Sequence, residues 1–237
     1  MEMMLSRLLW GVLVSVGLAA ASWMLALVTA GGALAGAAVG LAVFLGAGPK
    51  GFACLAAFFV VGSVLTRVGY RRKAERGLAE ARGGARGTWE VLAKGGLAAL
   101  AALASLTGLA VFRVSFAGAL AAALSDTAST EVGQLSRGAA WLLIPQKPVS
   151  PGTPGAVSAL GTAIGVAASV TLALLALGLG VVPAGGAVAA AAGGILGNLV
   201  ESIVKSTTKG AMGHYAMNVV TTGVGAGTAA LLWSILP

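Results

Sequence analysis

Long apolar runs separated by short polar segments recur along the whole chain. They cover residues 8–28, 31–45, 51–65, 96–112, 157–182 and 216–236. Uninterrupted apolar stretches near or above about 18 residues are typical of helices that cross a bilayer. Two of the runs are short, so the pattern predicts an all-α polytopic transmembrane helix bundle of about seven or eight spans.

Composition supports a membrane protein and excludes a soluble globular domain. Of 237 residues, 58% are hydrophobic and only 9% are charged, whereas soluble domains carry about 25% charged residues. The 37 glycines lie mostly inside the apolar runs, where small residues let helix backbones approach closely. We therefore expect residues 1–237 to form one compact integral membrane domain. The first apolar run continues well past a small-residue site at Ala19–Ala21, which favours a retained span over a cleaved signal peptide.

The distribution of positive charge predicts how the bundle is oriented. The 15 Lys and Arg residues exceed the 7 Asp and Glu residues, and the excess is concentrated in residues 70–95. The positive-inside rule places this loop in the cytoplasm. Counting spans from it, with a short return helix at about 114–124, places residues 125–155 and 205–214 on the same side. The same count leaves the N-terminus outside, and a seven-span arrangement with a re-entrant segment is the alternative.

A dense polar segment follows the apolar residues 116–124. It contains Asp126 and Glu131 among four hydroxyl side chains. Carboxylate oxygens suit Mg²⁺, which takes one or two carboxylates and leaves other positions to water and phosphate. The two acids are about 140° apart on an ideal helix, so they can bind one ion only if the segment bends or unwinds. A solvated loop with a helix N-cap is the alternative.

A proline-rich segment at 144–155 holds four of the seven prolines. Such a segment is extended and stiff. Its glycines and hydroxyls can contact an anion, Lys147 adds charge, and the helix that begins near Val157 presents a favourable N-terminus to anions. These features predict a phosphate cradle, with a rigid linker between spans as the alternative.

Two polar stripes lie on otherwise apolar helices. The first comprises Asn198, Glu201, Ser202 and Lys205, and the second comprises His214, Asn218, Thr221 and Thr222. Each spacing places its members on one helical face, and ionisable residues at membrane depth usually serve function. Glu201 and Lys205 could alternatively form a structural pair, and His214 could be an interfacial residue. No Walker-type loop is present, so any nucleotide site would be non-standard.

Taken in order, these clusters resemble a family of membrane proteins that includes plant phytyl-phosphate kinase and bacterial and archaeal relatives. The resemblance runs from about Gly31 to the C-terminus. It rests on Ser-Val-Leu-Thr at 63–66, Val-Leu-Ala-Lys-Gly at 91–95, Asp-Thr-Ala-Ser-Thr-Glu-Val-Gly at 126–133, the proline loop through Gly161-Thr162, Gly-Asn-Leu-Val-Glu-Ser at 197–202 and Asn-Val-Val-Thr-Thr-Gly at 218–223. The chain departs from the family at Ala128 (Trp), Lys94 (Asn), Glu90 (Gln) and Glu201 (often Asp).

The resemblance implies phosphoryl transfer from a nucleoside triphosphate, with CTP expected, to an isoprenyl monophosphate such as phytyl, geranylgeranyl or farnesyl phosphate. Asp126, Glu131 and Lys147 are the expected catalytic residues. Asp126 and Glu131, with Glu201 as a further candidate, are expected to hold Mg²⁺. Phosphate binding is assigned to Arg82, Arg86, Lys94, Lys147 and Lys205, and the cradle to Ser150, Gly152, Thr153, Ser158 and Thr162. Asn198, Ser202, Asn218 and Thr222 complete the expected substrate-binding set.

The expected setting is a bacterial or archaeal plasma membrane with the active site facing the cytoplasm. The expected partners are the nucleotide, the isoprenyl monophosphate and the lipid bilayer; a homo-oligomer is compatible with the sequence, and no nucleic acid is expected. A small transporter or channel is the main alternative. A cytidylyltransferase acting on a lipid phosphate is a second, and a structural membrane protein is a third. A CDP-alcohol phosphotransferase is disfavoured because its D-G-x-x-A-R element is absent.

Overall fold

The computed structural model describes residues 2–136 and 138–235 and consists mainly of helices. The helices are α1 (Glu2–Met24), α2 (Ala30–Arg67), α3 (Tyr70–Glu75), α4 (Thr88–Ala104), α5 (Ala110–Gly133), α6 (Ala159–Gly178), α7 (Ala184–Thr207) and α8 (His214–Ile235). Among the described residues, seven helices are long and apolar enough to cross a membrane, namely all except α3. The predicted polytopic helical bundle is confirmed.

Helix α2 folds back on itself at Gly48. A straight helix of 38 residues would be about 57 Å long, yet Arg67 at its end donates a hydrogen bond of 2.8 Å to the carbonyl of Ala26, which precedes its start. Gly48 has a positive φ of 72° and is followed by Pro49, a residue suited to beginning a helix. The two short apolar runs are therefore two antiparallel arms, residues 30–47 (the first arm) and 49–67 (the second arm).

Helix α5 is the central helix of the bundle. It packs against α2, α4, α6, α7 and α8, and residues 116–128 are all buried. Its small side chains permit this, because a Cβ added at Gly118 would lie 2.5 Å from the Ala229 Cβ on α8. The core is therefore built from close contacts between small residues.

The polar segment after Leu124 is helical, which corrects the expectation of a loop over 125–155. Helix α5 continues through Ser125–Gly133 instead of ending at about residue 124. Two of its hydroxyls bond within the helix: Thr127 donates to the Ala123 carbonyl at 2.8 Å and Ser129 donates to the Asp126 carbonyl at 3.0 Å. Hydropathy alone places the helix end too early when polar side chains bond back to the backbone.

The basic segment at 70–95 also contains less loop than predicted. It contains helix α3, and α4 already begins at Thr88. Lys94 therefore projects from a helix near the cytoplasmic end of the bundle. Glu90 caps the start of α4 by accepting a hydrogen bond from the Gly87 backbone N–H, which explains why the helix begins there.

The proline-rich segment at 144–155, expected to be extended, forms a strand only at 147–149 and consists mostly of turns on either side. The strand pairs in a small sheet. The strands are β1 (Ala140–Leu142), β2 (Lys147–Val149) and β3 (Ala156–Val157), in the antiparallel order β2-β1-β3. Pro148 lies on an edge strand, where a missing N–H is tolerated. Ser158 then caps α6 by accepting from the Gly161 N–H at 3.1 Å.

The two ends of the bundle differ in charge. Arg7 lies beside the α2 turn, within 3.5 Å of a Cβ added at Gly48, and Lys50 and Arg113 lie near the same end. The basic loop lies at the opposite end, where the Arg86 N–H donates to the Leu27 carbonyl at 3.0 Å. The positive-inside rule therefore assigns the basic end to the cytoplasm. The N-terminus then begins on the other side, in agreement with the span count.

Candidate active site

Three ion pairs gather at the basic end of the bundle, and each contains a buried carboxylate. Lys94 of α4 pairs with Asp126 of α5 at 2.7 Å, and Lys205 pairs with Glu201 within α7. The third pair joins Lys73 of α3 to Glu131 of α5 at 2.5 Å. Burying charges costs several kcal/mol per ion before their attraction is counted. Stability alone therefore does not explain three such pairs in one place.

Two of these pairs form a single cluster. The Asp126 and Glu201 carboxyl groups line the same cavity and are close enough to interact. Lys94 also donates to the Thr127 hydroxyl at 2.7 Å, and Thr221 of α8 donates to Glu201 Oε2 at 2.6 Å. We call Lys94, Asp126, Glu201 and Lys205 the central cluster. It contains two acids, which are adjacent, and two amines that flank them, so its formal charges balance.

Glycine packing one turn deeper brings the two acids together. A Cβ added at Gly197 of α7 would lie 2.9 Å from the Ala122 Cβ of α5. Asp126 and Glu201 each lie four residues further along these two helices, which run in the same direction. Because positions four apart share a helical face, close contact at Gly197 turns both carboxylates toward each other.

A large cavity with both polar and apolar lining lies on one side of the central cluster. It has a volume of about 540 Å³ and is enclosed by α5, α6, α7 and the turn at 151–157. Its polar lining includes Ser129, Thr130, Ser158, Thr162, Asn198 and Ser202. Ser129 donates to Asn198 Oδ1 at 3.2 Å. Many neutral hydroxyl and amide groups of this kind can bond the phosphates and polar edges of a nucleotide.

A second cavity of about 210 Å³ lies on the other side. Arg86, Lys94 and Thr66 contribute to its wall. Asp126, Lys205 and His214 line both cavities. The two cavities therefore meet at the central cluster, so that two bound molecules could approach each other there.

Arg86 supplies a permanent positive charge to the second cavity. Burial lowers the pKa of its guanidinium from the usual value, while carboxylates including Glu80 and Glu131 oppose that shift. An arginine nevertheless stays protonated in proteins. The guanidinium lies 5.9 Å from the Phe58 ring centroid, and a Cβ added at Gly62 would come within 2.9 Å of its Nη2. Glycine at 62 therefore makes room for this side chain.

Most of the residues predicted for the site lie together. The central cluster contains Asp126, Glu201, Lys94 and Lys205, with Arg86 beside it. The wall of the large cavity includes Gly152, Thr153, Ser158, Thr162, Asn198 and Ser202. The return of the proline segment into the bundle and the start of α6 thus bring together the residues predicted for a phosphate cradle, whose phosphate-binding role stays a prediction.

Three predicted phosphate-binding residues lie elsewhere. Lys147 and Ser150 are exposed, at and just after β2, and line neither cavity. Arg82 is largely exposed and donates to both carboxylate oxygens of Glu90 at 2.6 and 2.8 Å. In the proline segment, strand β2 is an outer edge, and only the following turn faces inward. We therefore remove these three from the candidate site.

Asp126 and Glu131, the expected metal pair, both line the second cavity, but each is paired with a different lysine. Because α5 remains helical, the two acids point to different neighbours, and Glu131 is held by the wholly buried Lys73. Glu201 takes its place beside Asp126. Asn218 and Thr222 are buried behind the cluster: the Asn218 amide bonds His214 at 3.2 Å, and the Thr222 hydroxyl donates to the Asn218 carbonyl at 2.9 Å.

Sequence reasoning missed several contributors. Lys73 belongs to a run of basic residues, and nothing in the sequence distinguishes it from its exposed neighbours. Ser129 and Thr221 stood inside recognised polar segments but were not selected for the site. His214 was noted only as a weak candidate, although it lines both cavities.

The donor set of the central cluster fits a hard divalent cation. Asp126 and Glu201 supply carboxylate oxygens from two helices, and Mg²⁺ typically takes one or two carboxylates and completes its shell with water and phosphate oxygens. Among the described residues, no group of three or more His, Cys, Asp or Glu side chains is placed to hold a metal. A site completed by a substrate's phosphates is therefore the arrangement that these residues support.

Comparison with known proteins identifies the family. The model of the integral membrane protein family DUF92 matches residues 13–232. An uncharacterized membrane protein of Synechocystis is 32% identical over 198 residues, covering 81% of this chain and 77% of that protein. The chloroplastic protein VTE6 of Arabidopsis thaliana is 32% identical over 196 residues, covering 78% of this chain and 59% of the plant protein.

An archaeal relative extends the range of the family. An uncharacterized membrane protein of Methanocaldococcus jannaschii is 30% identical over 211 residues, covering 86% of this chain and 85% of the archaeal protein. No solved structure matches the chain. The resemblance drawn from the ordered motifs is confirmed, and the chain belongs to the DUF92 family of integral membrane proteins.

Proposed function

We propose that this protein is a membrane-embedded kinase that transfers a phosphoryl group from a nucleoside triphosphate, CTP in the first instance, to an isoprenyl monophosphate, giving the diphosphate. One observation carries the proposal: two cavities of different size meet at a cluster of two buried carboxylates and two amines. The cluster lies at the cytoplasmic ends of membrane helices, where a lipid head group and a soluble nucleotide can both arrive.

The two cavities suit two different substrates. The larger one, with its hydroxyls and the Asn198 amide, has the size and neutral polarity for a nucleotide. The smaller one is lined by three cations, Arg86, Lys94 and Lys205, and by four carboxylates, and we assign the single phosphate of an acceptor to its cationic side. Phosphoryl transfer depends mainly on positioning two anionic groups and neutralising the charge between them. Lys205, which lines both cavities, is placed to contact the transferred phosphate.

Asp126 and Glu201 would hold Mg²⁺ at the boundary between the cavities. The ion supplies neutralisation of the phosphate oxygens when it is bound. This role leaves Lys94 and Lys205 to bind phosphate oxygens directly. No general base is required, because the attacking phosphate oxygen of the acceptor is already ionised. The proposed reaction therefore needs no proton transfer, and His214 does not act as a base in it.

The family supports the same reaction class. The ordered motifs resemble the family of plant phytyl-phosphate kinase, and the Arabidopsis protein VTE6 aligns with 78% of this chain. The clustering of polarity at one end of the bundle argues against a transporter, whose binding site would lie near the bilayer midplane.

A direct assay tests the proposal. Protein purified in detergent is mixed with Mg²⁺, CTP and geranylgeranyl or phytyl monophosphate, and the products are separated by mass. We expect isoprenyl diphosphate and CDP, and we expect both to vanish in Asp126→Asn. Glu75→Gln is the matched control, since it makes the same chemical change at an exposed acid of α3. Release of diphosphate from CTP would indicate a cytidylyltransferase instead. No turnover with several isoprenyl phosphates and nucleotides would refute the kinase.

A further inference from the structure

An apolar crevice lies between α1 and the two arms of α2, inside the membrane part of the bundle. We call it the α1–α2 crevice. Its lining includes Leu18, Gly32, Gly36, Gly40, Phe52 and Phe59. Three glycines spaced by four residues form one wall and extend over about 12 Å of the first arm. The crevice therefore runs along the helix axes, in the direction that a lipid tail takes in a bilayer.

The lining of the crevice suits a hydrocarbon chain. The crevice is a partly open groove of about 80 Å³ whose lining is almost wholly apolar, so it offers few partners for the polar groups of a nucleoside. Its inner end is closed at Gly40, where an added Cβ would lie 3.1 Å from both the Phe52 ring and the Ser15 hydroxyl. At Gly36 an added Cβ would meet no atom within 4 Å. The middle of the crevice is therefore open space beside a helix that carries no side chain there.

The outer end of the crevice reaches the candidate active site. Arg86, Glu90 and Lys94 line both the crevice and the second cavity. An apolar passage thus ends at two cationic side chains and the Glu90 carboxylate, and one of the two cations, Lys94, belongs to the central cluster. An apolar groove that leads to cationic side chains matches a molecule with a long apolar tail and one phosphate.

Helix α1 is the wall that can move to admit such a tail. Among the described elements its one substantial packing partner is α2, and much of its outer surface is exposed apolar side chains such as Leu9, Leu13 and Val16. A helix at the edge of the bundle can shift without disturbing the core around α5. Entry from the bilayer is therefore compatible with an intact central cluster.

We propose that the α1–α2 crevice holds the isoprenyl tail of the acceptor, with its phosphate at Arg86 and Lys94. This inference rests on the proposed function, since it names the tail site of the same enzyme. It leaves the large cavity to the nucleotide. It also makes Gly36 a determinant of tail length, because a side chain at this position would block the passage halfway along.

Photo-crosslinking tests the tail site without depending on turnover. A geranylgeranyl phosphate analogue with a diazirine at the end of its tail is bound to the purified protein, irradiated, and the labelled peptides are identified. We expect labels on α1 and the two arms of α2. Labels on α6 and α7 near Val166 and Leu199, which line the large cavity, would overturn the assignment. Labels spread uniformly over all lipid-facing helices would also overturn the assignment.

A pair of glycine variants sharpens the test. Gly36→Leu fills the crevice, and Gly17→Leu adds the same side chain on α1 at an exposed position where an added Cβ also meets nothing within 4 Å. We expect Gly36→Leu to reduce labelling at least about tenfold, since losing burial of two methylene groups already costs more than that in affinity. Gly17→Leu should leave labelling unchanged.

The kinetic consequence separates this inference from the kinase proposal. In Gly36→Leu we expect KM for geranylgeranyl phosphate to rise while kcat at saturation stays close to wild type, because the central cluster is untouched. Unchanged labelling and KM in Gly36→Leu would refute the tail site while leaving the kinase intact. Crosslinking to the crevice in a protein that shows no turnover would support the tail site and refute the kinase.

Discussion

Replacing Lys73 by Met should separate two interpretations of Glu131, one structural and one as a metal ligand. Lys73 is wholly buried, and its ammonium donates to Glu131 at 2.5 Å and to the Thr66 carbonyl at 2.8 Å. Met keeps nearly the same shape but leaves the Glu131 carboxylate buried without its cation. Removing one partner of a buried pair costs about 3–5 kcal/mol. We expect Lys73→Met to lower the free energy of unfolding by about that amount.

The double variant Lys73→Met/Glu131→Gln should recover much of the loss. A neutral amide needs no cation, so only the helix-end carbonyls that Lys73 capped remain less well satisfied. Each lost hydrogen bond of that kind is worth about 1 kcal/mol. Lys73 caps two such carbonyls, so we expect the double variant to be more stable than Lys73→Met by about 1–3 kcal/mol. If Glu131 serves only to hold α3 against α5, the folded double variant also retains turnover within about tenfold.

Cys54 provides the stability assay. It is the one cysteine of the chain and is buried in the second arm of α2, so a thiol-reactive fluorophore reports unfolding in detergent. Glu75→Gln is the control for removal of an acid. Two results would refute the reasoning: a double variant no more stable than Lys73→Met, or a folded double variant that has lost turnover a hundredfold or more. The latter would return Glu131 to the metal site.

Three further predictions address other parts of the structure. Gly197→Ala should lower the free energy of unfolding by about 1–3 kcal/mol, because the new Cβ would lie 2.6 Å from the Thr221 carbonyl oxygen. The control Gly227→Ala, where an added Cβ meets nothing within 4 Å, should be neutral in the same thiol assay. Lys147→Ala should change kcat/KM less than about twofold, and Lys94→Ala should reduce it by at least about a hundredfold, as charge-assisted phosphate contacts are lost. Chelation of Mg²⁺ should abolish turnover reversibly, and re-addition should restore it; turnover that survives chelation would contradict the metal role.

The helix bundle was largely predictable from hydropathy, and the errors in that prediction have identifiable physical causes. The short runs at 31–45 and 51–65 correctly indicated two segments, because Gly48 and Pro49 separate them. The end of α5 was placed too early because Thr127 and Ser129 satisfy their hydroxyls within the helix. A hydropathy pattern measures the cost of polar groups in lipid and does not detect when the protein itself supplies their partners.

The candidate site was predictable as a set of segments but not as a set of pairs. The i, i+4 spacing of Glu201 and Lys205 indicated their contact directly. The approach of Asp126 to Glu201 depends on how closely α5 and α7 pack at Gly197, which no single-helix pattern reveals. The pairing of Glu131 with Lys73 depends on the position of a short helix that follows the second arm. Contacts between distant segments require the packed structure.

The burial of α5 on every side has a consequence for biogenesis. Helix α5 is synthesised and inserted before α6, α7 and α8. Its alanine-rich surface and its acidic end therefore lack most of their packing partners at that stage. Asp126 can meet Lys94 at once, but it meets Glu201 only after α7 has been inserted, and Thr221 arrives later still with α8. Assembly of the reaction centre is therefore among the last events in the synthesis of the chain, and a protein shortened before α7 would present the bare small-residue face of α5 to the quality-control machinery of the membrane.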